Sequence, residues 1–118
     1  MKIKEYLKNT AKPNEKLGML YIREFVECSD GFSISIQASE IHYCSPRANL
    51  TNGEYNTVEL GFPNQEDELI YEYAQSDNYT GTIYSYVPIE IVEELINKHG
   101  GIKQNEEVVK DKWKQKKN

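Results

Sequence analysis

The stretch "SDGFSISIQAS", residues 29–39, constrains the fold more than any other part of the chain. Phe32, Ile34, Ile36 and Ala38 alternate with Ser33, Ser35, Gln37 and Ser39, which is the period of a strand pointing side chains to two faces. One face is apolar and the other rich in serine. That pattern predicts an antiparallel sheet with a dry face and a wet face. Asp30-Gly31 accepts positive φ at little cost and reads as the turn of a hairpin between two apolar runs. Leu20 to Cys28 is therefore read as the partner strand, although Met19, Ile22 and Val26 also share a helical face.

Two further strands follow. "YNTVELGF" (55–62) turns Val58, Leu60 and Phe62 inward, and Pro63 ends it. "TIYSYVP" (82–88) sets Tyr84 and Tyr86 on one face and Ile83 and Val87 on the other. Between them, "NQEDELIYEYAQ" predicts a short helix over 66–74, with Asn64 as its cap and acids in its first turn. "PIEIVEELINKHGG" is the strongest helix signal: Pro88 at its start, a Val92, Leu95, Ile96 stripe, Lys98 and His99 at its end, and Gly100 as the left-handed cap. The expected fold class is α+β, an antiparallel sheet of about four strands with helices packed on one face.

At 118 residues the chain fits one domain. Charge divides it into three parts. Residues 1–16, a basic segment with a short helix candidate at 2–9 and a linker around Pro13, carry five lysines and two glutamates. Residues 103–118, a Lys-rich tail, carry six lysines against three acids. Residues 17–102, the expected domain, carry Arg23, Arg47 and Lys98 against fourteen acids, a net of −11 within an overall −5. Such a body repels phosphate backbones, so nucleic acid is expected to touch only the tails, and weakly. It suits a basic protein partner reached by electrostatic steering. No run approaches a membrane span, and two cysteines outside any CxxC pair argue for reduced thiols and a cytoplasmic location.

The chemistry concentrates in "SIQASEIHYCSPR", residues 35–47. Ser35, Gln37 and Ser39 lie on the expected wet face, and the strand's end delivers His42, Tyr43, Ser45 and Arg47. With Tyr84 and Tyr86 on the same face, these residues make a polar, aromatic patch carrying one guanidinium, suited to a partner or a planar ligand. His42 and Cys44 stand two apart and on a strand would share a face, so contact is possible, but a Cys/His nucleophile pair also needs a lowered thiol pKa and a third group to orient the histidine. The four soft ligands, Cys28, His42, Cys44 and His99, lack zinc spacing, "NQEDE" lacks a calcium-loop pattern, and Gly100-Gly101 follows a helix rather than opening one. No metal and no cofactor is expected.

"DGFSISIQASEIHYCSPR", "YNTVELGFP" and "TIYSYVPIEIVEELINKHGG" together resemble a group of small proteins encoded by tailed phages and prophages. These share an "ADGF-S-VQAS-HYC-PR" block and a "Y-YVP-E-V…-HGG" block. The resemblance covers about residues 26–101. Ser85 stands where the group often has glycine. The resemblance implies a phage accessory protein acting in the bacterial host cytoplasm. Combined with the charge, it leads to a non-enzymatic counter-defence protein that blocks a basic, nucleic-acid-binding host protein, in the manner of anti-CRISPR or DNA-mimic inhibitors. Glu66, Asp67, Glu68 and Glu72 are the expected acidic partner surface. The alternatives are a small-nucleotide binder or immune-signal sponge using the Arg47 patch, and a Cys/His hydrolase. A homo-oligomer is compatible with each.

Overall fold

The computed structural model describes residues 3–103. Four strands form one antiparallel sheet in the order β1-β2-β3-β4: β1 Val26–Glu27, β2 Ser33–Gln37, β3 Thr57–Gly61 and β4 Ile83–Pro88. Helices α1 (Ile3–Asn9) and α2 (Ile89–Lys98) and the 3-10 helices η1 (Glu15–Leu17) and η2 (Glu68–Tyr73) complete it. The α+β class is as expected, and the C-terminal tail from 104 onward lies outside the described residues.

The Asp30-Gly31 hairpin forms. The Gly31 amide donates to the Cys28 carbonyl and the Cys28 amide to that of Phe32, with Gly31 at φ 95°. This is a three-residue loop closed by a glycine in the left-handed region. Inward residues then stack across the sheet: Val26 faces Ile34, Ile36 and Tyr84 face Leu60 from either side, and Val58 faces Val87. The β1 strand is only two residues long, against the expected run from Leu20 to Cys28.

Helix α2 begins after Pro88 and buries Ile89, Val92, Leu95 and Ile96. Its end is a Schellman motif, with Gly100 N–H on the Asn97 carbonyl and Gly101 N–H on the Ile96 carbonyl. Helix α1 is part of the core, because Ile3 and Leu7 are fully buried and the Ile3 amide donates to Glu93 of α2 at 2.7 Å. Residues 1–16 thus contribute to the domain rather than standing beside it. Gly53, at φ 73°, closes against α1 where a Cβ would collide with the Lys4 carbonyl.

Three expectations are corrected. The polar face of β2 is not wet: Ser35, Gln37 and Ser39 are all buried. The extended chain at Arg23 covers it. The Gln37 amide accepts from the Arg23 N–H and donates to the Arg23 carbonyl, reproducing a strand's paired bonds with a side chain. Second, Phe62 turns outward at φ 50° instead of entering the core. Third, the 66–74 segment is a 3-10 helix capped by Asp67, whose side chain accepts from Leu69 N–H. Asn64 ties the hairpin instead, accepting from Ser33 N–H and donating to the Gly31 carbonyl.

Candidate functional site

A β-bulge builds the exposed half of the site. Between Val58 and Leu60 on β3 there is one residue, but between the matching Val87 and Tyr84 on β4 there are two, Ser85 and Tyr86. The extra residue resets the alternation. Tyr84 turns inward and is fully buried, and Tyr86 turns out, 47% exposed, at φ 52°. The expected sharing of one face by Tyr84 and Tyr86 is therefore wrong. A tyrosine at positive φ is uncommon and is held here by its neighbours. The Tyr86 amide leaves the ladder and donates to the Tyr43 carbonyl at 3.1 Å.

That bond fixes the segment after β2. Tyr43 N–H donates to Glu59 Oε1 at 2.9 Å, Ser45 Oγ and Thr57 Oγ1 share a hydrogen at 2.7 Å, and Asn56 N–H donates to the Ser45 carbonyl. The rings of Tyr43 and Tyr86 lie 6.0 Å apart, tilted by 48°. The Arg47 guanidinium sits 5.3 Å above the Tyr43 ring, a cation–π geometry. No ion pair of Arg47 is found among the described residues. Tyr43, Arg47 and Tyr86 thus form an open platform with a fork of donors.

The remaining residues of the expected patch are elsewhere. Ser39 and His42 are buried, joined Oγ to Nδ1 at 2.6 Å, and Ser39 Oγ also accepts from Ile41 N–H. Burial holds His42 below the usual histidine range, which favours its uncharged form. Cys44 is buried and its Sγ donates to the Ser39 carbonyl at 3.2 Å. Burial raises its thiol, which opposes a thiolate. His42 directs Nδ1 at Ser39 rather than at this sulfur. The pair has the geometry of a packed corner, not of a nucleophile and its base.

The acidic surface loses one member. Glu66, Glu68 and Glu72 are exposed, but Asp67 is only 5% exposed. Its Oδ1 accepts from Lys98 Nζ at 2.9 Å and its Oδ2 faces His99 Nε2 at 3.0 Å. His99 Nδ1 in turn meets Asp30 Oδ2 at 2.7 Å, and the ring stacks on Phe32 at 3.9 Å. This clamp joins the hairpin turn, η2 and the end of α2. Sequence reasoning missed it, because the three residues lie far apart in the chain and each had a local explanation as turn, acid or helix end. Burial alone would raise the Asp67 carboxyl. Bonds from Lys98, the Leu69 amide and His99 outweigh that and hold it below the usual range. The Phe32 amide, then His99, lower Asp30. Glu66 accepts from the Tyr71 hydroxyl, which is thereby pushed up to about 12.

Among the described residues no group of three or more His, Cys, Asp or Glu is placed to hold a metal, and no helix is long and apolar enough to cross a membrane. Comparison with protein-family models, curated proteins and solved structures found no match.

Proposed function

We propose that this chain is a non-enzymatic phage accessory protein whose acidic body occupies a basic, nucleic-acid-binding surface of a host protein. One observation carries the reading. Of the three cations in residues 17–102, Arg23 is buried and the half-exposed Lys98 is paired with Asp67, so Arg47 is the one of the three that is exposed with no ion-pair partner among the described residues. Glu66, Glu68 and Glu72 face outward. Residues 17–102 thus present an acidic surface with few accessible cations, which favours rapid, salt-sensitive capture of a basic protein. The Tyr43, Arg47 and Tyr86 platform supplies residue types that anchor protein interfaces. The platform is open, whereas small-ligand sites enclose most of their ligand, so a protein partner suits it better than a nucleotide.

The test begins with the partner recovered with the full chain from phage-infected cells. Converting Glu66, Glu68 and Glu72 together to lysine should slow association by about tenfold or more at low salt. The thermal midpoint should hardly move, since exposed charges contribute little to folding. An unchanged association rate overturns the reading. Asp67 is left intact in this variant because it belongs to the buried clamp.

A further inference from the structure

A cavity of about 770 Å³ opens between the loop at 9–16, the extended run at 22–27 and the chain at 102–103. Its volume is that of a small-ligand site. Arg23 lines it and is 6% exposed. The guanidinium donates to Thr10 Oγ1, the Leu7 carbonyl and the Ala38 carbonyl, at 2.7–3.0 Å. Every one of these acceptors is neutral, and no carboxylate pairs with Arg23 among the described residues. Each guanidinium nitrogen has an acceptor, but the charge has no counter-charge among the described residues. A buried charge without a counter-charge is costly, and a nearby anion relieves that cost. Burial correspondingly lowers the pKa of this arginine.

The surroundings have the same sign. Lys12, Lys16 and Lys103 also line the cavity, against Glu15, Glu24 and Glu27. The lining is net positive by one charge, on a molecule whose residues 17–102 carry −11. Tyr6 and Phe25 add aromatic surface, and Phe25 is more than half exposed. We propose that this cavity binds a small organic phosphate carrying a planar ring, of the nucleoside monophosphate class. The ammonium groups of Lys12 and Lys16 hold the phosphate directly. Arg23 acts through its field, since it is buried and each of its nitrogens already has an acceptor within the fold. The ring lies against Phe25 and Tyr6. This site is separate from the acidic surface and from the Tyr43 platform, and it stands or falls independently of them.

The experiment is a titration of the full chain with AMP at low salt, followed by ¹H–¹⁵N spectra, with inorganic phosphate as the second probe. AMP should move the resonances of Tyr6, Lys12, Lys16 and Phe25. Lys12→Ala combined with Lys16→Ala should weaken it by about tenfold, or ~1.4 kcal/mol. Both lysines are exposed, so the variant should keep the parent's thermal midpoint and spectrum, and folding does not confound the result. Absence of shifts around the cavity at about millimolar AMP overturns the proposal. So does inorganic phosphate binding as tightly as AMP, which leaves the ring no part, and so do shifts that gather at Tyr43 and Tyr86 instead.

Discussion

Tyr86 shows how one backbone angle selects what the surface displays. Its φ of 52° is expensive for any residue with a Cβ and worst for a β-branched one. Tyr86→Gly should keep or raise the thermal midpoint, because it removes that strain while losing only a half-exposed ring. Tyr86→Val should lower stability by about 1–2 kcal/mol in urea unfolding. If valine is tolerated as well as glycine, the bulge does not hold position 86 as described. Arg47 is the complementary case. A guanidinium stacked on Tyr43 presents a planar fork that an ammonium cannot copy. Arg47→Lys should weaken the recovered complex by about 1–3 kcal/mol while the unfolding curve stays in place. Lost stability with intact binding would instead make Arg47 a structural residue.

The clamp of Asp30, His99 and Asp67 unites three elements that have little sequence in common. The hairpin turn, η2 and the end of α2 all meet on one imidazole. Each ring nitrogen of His99 lies within hydrogen-bond reach of a carboxylate, Asp30 on one side and Asp67 on the other, and Lys98 adds a charge-assisted bond to Asp67. Asp67→Asn keeps an oxygen to cap η2 but removes the charge, and should cost about 2 kcal/mol at neutral pH. The sign of its pH dependence follows from the lowered carboxyl. A folded-state value below the unfolded one contributes in full above about pH 4, and that contribution is lost as pH falls through the folded value. The gap between parent and variant in urea unfolding should therefore close as the solution is acidified below about pH 4. A gap that stays constant with pH would show that the charge of Asp67 plays no part.

For the molecule entire, charge placement matters more than charge total. The overall −5 combines basic stretches at both chain ends with −11 over residues 17–102; α1 folds the first of those stretches onto the domain, and burial removes Arg23 from the surface. Association governed by such a field is screened over about a Debye length, ~10 Å at 0.1 M salt. The on-rate to a basic partner should fall steeply between low and moderate salt, while the off-rate, set by close contacts such as the Tyr43 platform, changes little. Stopped-flow association at several salt concentrations separates the two. A flat on-rate would remove steering from the account.

What the amino-acid order determined by itself was whatever rests on neighbours along the chain. The Asp30-Gly31 turn, the alternation of β2 and the cap of α2 at Gly100 each depend on a few consecutive residues, and each formed as read. Tyr43 and Arg47 were legible as the exposed end of a strand for the same reason. Alternation states which side chains share a face, but not whether a second layer will cover that face. Only the tertiary structure brought Arg23 onto Gln37 and so dried the serine-rich side of β2. A bulge inverts the parity of every residue beyond it, so Tyr84 and Tyr86 parted company through a mismatch between two strands that neither strand encodes alone. Asp67 read as one acid in an exposed run, and became a buried anchor because His99 and Lys98, about thirty residues away, fold back to meet it.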